Sequence, residues 1–503
     1  MIRRLLRIEL HIGPPGPSSA TSERPPTRRV YPRSMSDIAR TCWWLKEALA
    51  HPEFAGDPAP ALDRDTSADV VIVGGGYTGL WTAWHLVQAR PGVKVVVLEQ
   101  DECGFGPSGR NGGFINGFYD HAGTLVDLFG PEGALAVIDA GAQTLGELAA
   151  WMDEQGVDAW FRQDGYIGVA SSPAQAGGWE EPIETARRLG IEDHYRVLSK
   201  AEMDGYCASP VFEGGHLVAD GGTVQPARLA RGLRRVCMEA GVRIHEHTPV
   251  QRLNPGTRLE AVTPRGVVRA GHAVLGINAW AGTWKGFGRR IVPRGSYMAI
   301  TAPAPERLAE INWTTGVSIY DYRSALRYLR TTPDGRIALG VGGERGTWSG
   351  RIGPHFDYDE QGTQHAIDAI HRFFPGFRDV PIEGRWGGPI DVVSTHIPFA
   401  GTLPGGNVHY ALGYTGNGVG PAHLMGKVMA ARALGMENEA TRLPIVGMEP
   451  RHFPPQPFRS LGAALVNAAT VRRDDAIDAT GSADPITDFV AKLPRRMGYH
   501  LGP

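Results

Sequence analysis

The run Ala68-Asp69-Val70-Val71-Ile72-Val73 is apolar at almost every position and rich in β-branched side chains. That is the pattern of a strand covered on both faces in a parallel sheet. It passes without a break into Gly74-Gly75-Gly76-Tyr77-Thr78-Gly79, and the apolar positions then change period. Leu80, Ala83, Trp84 and Val87 fall at i, i+3, i+4 and i+7, one face of a helix. Pro91-Gly92 ends that helix, 93–98 is a second apolar strand, and Glu99 stands at its end. The order strand, glycine turn, helix returns near the other end of the chain, over 407–412, 413–418 and 419–433. Between these blocks the pattern predicts helices over 133–154, 227–237 and 361–374. It predicts strands over 165–170, 242–246, 273–275, 297–301, 325–329 and 336–341, and a hairpin of 258–262 with 266–270. Thr332-Pro333-Asp334-Gly335 makes the turn between the last two strands, and a final helical stretch, 461–471, follows a proline-rich segment.

Each part of the first block has a physical task. Gly74 permits a tight turn, Gly76 lets the backbone approach a pyrophosphate, and Gly79 lets helix and strand pack closely. The helix start offers unpaired N–H groups and the positive end of its dipole. Glu99, 20 residues after Gly79, is placed to accept both hydroxyls of a ribose. Strand, glycines, helix, strand and acid in this order predict a dinucleotide site, with NAD and FAD both open. The next segment, Gly104-Phe105-Gly106-Pro107-Ser108-Gly109-Arg110-Asn111-Gly112-Gly113, has little to build a core and suits a loop around a polar ligand. A simple NAD domain would more often continue with another helix and strand, and a second strand, glycine turn and helix recurs some 340 residues later.

Composition narrows the picture. At 503 residues the length implies about two to four domains, with 42% hydrophobic and 21% charged residues, an ordinary globular balance. The 67 glycines show no three-residue period, which excludes a collagen-like chain. A net charge of −2 argues against a nucleic-acid partner. The basic residues include only six lysines, which we read as coding bias. Cys42, Cys103, Cys207 and Cys237 have no CxxC spacing, so no metal site is expected and a reduced cytoplasmic setting fits. No run of 18 apolar residues occurs, and no membrane span is expected. Residues 1–34 are expected to be a disordered leader. Arg3-Arg4 lacks the apolar stretch of an export signal, and Met35 is an alternative start.

The block 104–113 resembles the loop after the second strand in the D-amino-acid oxidase and sarcosine oxidase superfamily of FAD-dependent amine oxidoreductases, and within it the group of γ-glutamylputrescine oxidoreductases. The likeness runs over roughly 40–460. Asp220 to Pro226, with the helix after it, is similar to the superfamily's return crossing; Thr248-Pro249-Val250 is similar to its adenine-binding backbone; Gly413 to Gly418 is similar to its flavin-ring loop. The resemblance implies an α/β fold in which a Rossmann-type FAD-binding domain is interleaved with a mostly antiparallel α+β substrate domain. The expected division is 35–119, 216–289 and 381–443 for the first, and 120–215 and 290–380 for the second, with 444–503 a tail packed on the FAD domain. It assigns the cofactor to Gly74, Gly76, Tyr77, Thr78, Gly79, Glu99, Gln100, Ser108, Gly109, Arg110, Asn111, Gly112, Gly113, Val250, Asn278, Gly413, Gly416, Asn417, Gly418 and Val419.

Candidate pocket residues are Tyr320, Tyr322, Tyr328, Arg330 and Trp386; sheet packing is the competing reading for the tyrosines and a surface ion pair for Arg330. His396 reads as a polar residue near a strand end. No obligatory acid or base is implied. Several positions depart from the superfamily. Ile277-Asn278-Ala279 stands where Ala-Thr-Gly is common, Asn417 where a histidine is familiar, and Thr332-Pro333 where amino-acid oxidases place an arginine for the substrate carboxylate. An amine substrate is thus expected over a free α-amino acid. Residues 324–328 hold no cysteine, so FAD is expected to be non-covalent. The implied reaction is oxidation of a C–N bond in a γ-glutamylputrescine-like or related amine by hydride transfer to flavin N5. The imine is then hydrolysed to an aldehyde and the flavin reoxidised by O2 with H2O2 as product, in polyamine catabolism. No lysine lies between Lys285 and Lys427, which keeps open a dehydrogenase with another electron acceptor. A flavin subunit needing a partner chain is the third reading. A monomer and a homo-oligomer both fit.

Overall fold

The computed structural model describes residues 41–342, 346–347 and 350–500. The expected leader and Met35 lie outside the described residues. Two eight-stranded sheets organise the chain. The first has the order Phe399–Thr402, Val408–Leu412, Val267–Leu275, Thr66–Val73, Val95–Leu98, Arg243–His245, with Leu259–Val262 and Arg252–Asn254 added antiparallel beside Val267–Leu275. Its central strand Thr66–Val73 is parallel to both neighbours, one 22 residues later in the chain and one nearly 200 later. The glycine turn leaves this strand where the strand order reverses, the place at which open α/β sheets bind ligands.

Burial on both faces explains the unbroken apolar run. Val70, Ile72, Val95 and Val97 pack under the helices, while Val71, Val73, Val96 and Leu98 pack with Ala273, Trp284 and Phe287 on the reverse. The helices Tyr77–Ala89 and Val419–Ala433 cross closely: a Cβ on Gly426 would lie 2.5 Å from the Cβ of Trp81.

The second sheet runs Ile382–Val392, Val292–Thr301, Ile337–Val341, Arg327–Thr331, Ser318–Asp321, Tyr166–Ala170, Gly214–Val218, Tyr195–Leu198. All its pairings are antiparallel except Ser318–Asp321 with Tyr166–Ala170. One face packs Ile167, Ile319, Leu329 and Leu339 against the helix Glu360–Phe373. The opposite face carries Tyr166, Met298, Tyr320 and Trp386 into the same core as Trp44, Ile72 and Ile115.

Three expectations need correction. The strands Gly214–Val218 and Ile382–Val392 hydrogen-bond within the second sheet, although ranges starting at 216 and 381 were expected to belong with the first. Long-range register decides this: Ile382–Val392 pairs along the whole of Val292–Thr301. The helix expected over 133–154 spans Ala122–Glu154 and bends at Gly130 and Pro131, where the proline lacks an N–H. The tail helix Phe458–Thr480 was expected on the first sheet and instead docks on the second. The guanidinium of Arg323, only 6% exposed, is bound by Asp475 and Asp478 at 2.6 Å each, and Asp474 accepts from the Ala325 N–H at 3.0 Å. Among the described residues no helix is long and apolar enough to cross a membrane.

Candidate functional site

At the end of Thr66–Val73 the chain turns through Gly74 at φ +106°. A Cβ on Gly79 would stand 1.9 Å from the Gly74 carbonyl oxygen, so only glycine lets the helix begin this close to the strand. The helix starts after Gly76 with neither a capping side chain nor an acid in its first turn. Ser108 Oγ accepts from the Tyr77 N–H at 2.9 Å. Glu99 accepts the Gly75 and Asp101 N–H groups at 2.7 and 2.9 Å, one on each carboxylate oxygen. Burial pushes its carboxyl up to about 7. Gln100 is exposed, and Val250 lies two residues beyond Thr248, whose N–H donates to the Glu99 carbonyl at 2.7 Å.

The loop 104–113 is shaped from within. Asn111 donates to the Pro107 and Ser108 carbonyls (3.0 and 2.9 Å) and accepts from the Gly113 N–H (2.7 Å). Arg110 donates to Asp357 at 2.6 Å and to the Gly387 carbonyl at 3.1 Å, tying the loop to the second sheet. Both side chains were expected on the cofactor; here the Asn111 amide and the Arg110 Nε and Nη1 are hydrogen-bonded within the protein.

Two of the candidate pocket residues lie fully buried beneath this loop. Trp386 is fully buried edge-on against Trp44 and donates to the Arg110 carbonyl at 2.9 Å. Arg330, equally buried, feeds the carbonyls of Val224, Thr331 and, at 3.5 Å, Gly113. Desolvation lowers its guanidinium to about 9. Both are struts beneath the loop. Gly113, at φ +76°, would bring a Cβ within 2.0 Å of the Val224 carbonyl oxygen.

The C-terminal turn closes over the first. Gly413 and Gly416 have φ of +82° and +96°. Asp391, fully buried, accepts the N–H groups of Gly413 (2.6 Å) and Thr415 (3.4 Å), and burial pushes its carboxyl up to about 7. The helix Val419–Ala433 follows Gly418, again without a capping side chain. Tyr414 and Thr78 share a hydrogen bond of 2.7 Å between their hydroxyls, joining turns 336 residues apart. Asn417 donates to the Gly117 carbonyl at 3.0 Å. The buried Oδ1 of Asn278, on a residue at φ +42°, has no hydrogen-bond partner. Two helix starts whose preceding glycines bring no capping side chain, a half-buried ribose-type acid and an orphaned amide oxygen suit a dinucleotide with a hydrogen-bonding ring. Tyr414→Phe breaks the bond between the turns. We expect a loss of about 1 kcal/mol, read as a several-fold rise in the FAD dissociation constant when apoprotein is titrated.

On the second sheet's inner face the tyrosines divide. Tyr328 meets the loop: a Cβ on Gly112 would lie 2.9 Å from its ring, and its hydroxyl bonds Ser296 Oγ at 2.8 Å. Tyr322 donates to the Gly168 carbonyl (2.9 Å) beside His216, and Tyr320 donates to Asp120 (3.0 Å). His396 stands at φ +56° next to His121 and His500, and burial lowers it to about 3. Asp120, Glu246 and Asp391 were not singled out by the sequence. Each is an isolated acid at an element's end or in a turn, with no motif around it. Among the described residues no His, Cys, Asp and Glu group could hold a metal ion.

Residues 69–432 match the DAO family, described as FAD dependent oxidoreductase. Gamma-glutamylputrescine oxidoreductase of Escherichia coli K12 is 29% identical over 420 residues, 81% of this chain and 94% of that protein. A Haemophilus influenzae protein named "Probable oxidoreductase OrdL" is 26% identical over 389 residues, 75% of this chain and 85% of its own. Among solved structures, glycine oxidase from Geobacillus kaustophilus superposes with a TM-score of 0.61 at 20% identity, over 74% of this chain and 96% of that one, a likeness of fold. Matched along most of its length and carrying both nucleotide turns, the chain belongs to the DAO family of FAD dependent oxidoreductases, and its cofactor is FAD.

Proposed function

We propose that this protein oxidises the C–N bond of an amine, γ-glutamylputrescine-like or a related polyamine or secondary amine, within polyamine catabolism in the cytoplasm. The observation that carries the reading is the fate of the two arginines nearest the Gly112 loop. Arg110 is bound by Asp357 and Gly387, and Arg330, fully buried, gives Nε and Nη1 to three carbonyls, so what the pair keeps for a substrate carboxylate is the buried, unpartnered Nη2 of Arg330. The wall they leave is hydroxyl and ring: Ser296, Tyr320, Tyr322 and Tyr328. The name of the Escherichia coli relative supports the same substrate class.

Bound FAD supplies the acceptor for a hydride from the carbon beside the amine nitrogen. The chain's own work is placement and charge. The Ser108 hydroxyl and the Tyr77–Ala89 helix start would hold phosphate, and Glu99 would hold ribose. The start of Val419–Ala433 would offer the bound cofactor a positive dipole end. Tyr328, fixed by Ser296, bounds the space next to Gly112 and keeps water from the reacting carbon. Water afterwards hydrolyses the released imine to an aldehyde. The four cysteines are unpaired and buried, which supports FAD held without a covalent bond. Lys427 pairs with Glu147, and no lysine precedes it back to Lys285. That supports a second reading, a dehydrogenase passing electrons to an acceptor other than O2.

Anaerobic addition of an amine panel to the purified holoprotein tests this. Bleaching of the flavin bands by one amine class, with return and H2O2 on admitting air, is the expected result. Bleaching without return selects the dehydrogenase reading. Flavin that no amine bleaches would overturn amine oxidation and favour a subunit that needs a partner chain.

A further inference from the structure

The inner face of the second sheet holds a carboxylate with no counterion. Asp120 lies in the short turn Tyr119–His121 and keeps part of its surface accessible. Its Oδ1 accepts from the Tyr320 hydroxyl at 3.0 Å, and the Tyr166 hydroxyl approaches it without completing a hydrogen bond. No cationic side chain faces it among the described residues. Burial pushes its carboxyl up to about 6, which leaves it mostly ionised at neutral pH. A half-buried charge without a counterion is still costly and is normally paired.

The surrounding wall is aromatic and short of donors. Tyr166 and Tyr320 stand 6.1 Å apart, Tyr320 and Tyr322 6.2 Å, and His216 lies stacked on Tyr322 at 5.9 Å. Tyr322 gives its proton to the Gly168 carbonyl, so His216 Nδ1 must donate to the Tyr322 oxygen at 2.7 Å. His216 Nε2 is then an acceptor, and it is fully buried without a partner. Gly168 lets the His216 and Tyr320 side chains close over the strand: a Cβ on it would fall 2.6 Å from His216 Cε1 and 2.9 Å from the Tyr320 hydroxyl. The corner adjoins both nucleotide turns. Tyr320 is the cross-strand neighbour of Tyr328, which touches Gly112, and Gly117 accepts from Asn417.

We propose that Asp120, boxed by Tyr166, Tyr320, Tyr322 and His216, is the seat of the substrate's ammonium group, so that the ligand class is an alkylammonium ion; this rests on the amine reading above. A carboxylate, the unpartnered His216 Nε2 and ring faces favour a cation rich in N–H, and the unpartnered Tyr166 hydroxyl lies beside the carboxylate itself. The charge is left uncompensated in the free protein because the ligand completes it.

Three isosteric probes separate charge from shape: tert-butylammonium, tert-butanol and pivalate. The cation has no hydrogen on the carbon next to nitrogen and cannot be oxidised, so binding is read without turnover, by flavin difference spectra and by thermal shift. Only tert-butylammonium is expected to bind saturably. Asp120→Asn is expected to weaken it about 100-fold and, without ligand, to melt above the parent. Gly168→Ala pushes His216 and Tyr320 aside with Asp120 intact and is expected to weaken the cation at least about 10-fold. Tighter binding of pivalate overturns the proposal. So does Asp120→Asn that melts lower and binds the cation unchanged, the behaviour of a purely structural acceptor. If Asp120→Asn does not load FAD, unchanged cation binding in Gly168→Ala overturns it. Cation binding that depends on Asp120 supports this inference even if no amine bleaches the flavin, an outcome that sinks only the oxidation reading. Bleaching by amines with cation binding indifferent to Asp120 does the reverse.

Discussion

Gly79→Ala is expected to yield a protein that no longer retains FAD through gel filtration. The added Cβ would sit 1.9 Å from the Gly74 carbonyl oxygen and 3.1 Å from Ile72 Cγ2. The first of these is backbone, so no rotamer change relieves the clash. The helix Tyr77–Ala89 must lift from the strand Thr66–Val73, carrying its N–H groups away from the phosphates. Overpacking of this kind costs about 1–3 kcal/mol or more. Because the displaced atoms are those that bind the pyrophosphate, most of the loss should fall on FAD affinity, about 100-fold or more. Gly146→Ala is the control. It lies in the helix Ala122–Glu154 with nothing within 4 Å of the new Cβ, and is expected to stabilise slightly by helix propensity. The ratio of flavin to protein absorbance after desalting reads both. Full flavin content in Gly79→Ala would mean that the turn does not face the pyrophosphate.

That turn was legible from the chain because several independent signals coincide there: a change of apolar period, glycines at fixed offsets and an acid at the next strand's end. The helices Pro226–Glu239 and Glu360–Phe373 were legible for the same reason, as amphipathic runs with local hydrogen bonds. What was not legible depends on partners far away in sequence. Ile382–Val392 has the composition of a loop, with three glycines and a proline, and becomes a strand through Val292–Thr301. The tail's place is set by Arg323 finding Asp474, Asp475 and Asp478 about 150 residues on. Residue type also misleads within the site. Arg110, Asn111, Arg330 and Trp386 can all reach a ligand, and here each is bound to backbone carbonyls that hold the loop. Direction of a side chain is a tertiary property, and strand alternation fixes only its face. Tyr328 and Arg330 share a face, yet one meets Gly112 and the other lies beneath Gly113.

Glu246→Ala is expected to be among the most destabilising single changes in the chain, about 3–5 kcal/mol. The carboxylate has no exposure and four donors: the N–H groups of Ala59 (2.6 Å) and Cys103 (2.7 Å), and Nε and Nη2 of Arg234 (2.9 and 2.8 Å). Arg231, also buried, stands 3.7 Å away and donates to the carbonyls of Phe54 (2.9 Å) and Cys103 (3.3 Å). One carboxylate thus fastens four segments, and its loss leaves two guanidiniums short of charge in the core. Burial works to raise the Glu246 carboxyl, but Arg234 and the two amides outweigh it and hold the group below the ordinary carboxylate range. A carboxyl lowered by folding contributes its stability above the unfolded-state value and loses it as pH falls through the folded-state value. The gap in melting temperature between parent and Glu246→Gln should therefore be widest near neutrality and close on acidification. For Glu246→Ala at pH 7 the expected fall is about 5 °C or more. A fall of a degree or less would show that the arginines find other partners. The cofactor should respond as well, because Cys103 carries the link onward: a Cβ on Gly75 would meet its Sγ at 2.4 Å, and Gly104 opens the loop at 104–113. Slackening Cys103 loosens the ribose and phosphate ends together, so in Glu246→Ala flavin release should precede the loss of helix signal on heating, whereas in the parent the two should coincide.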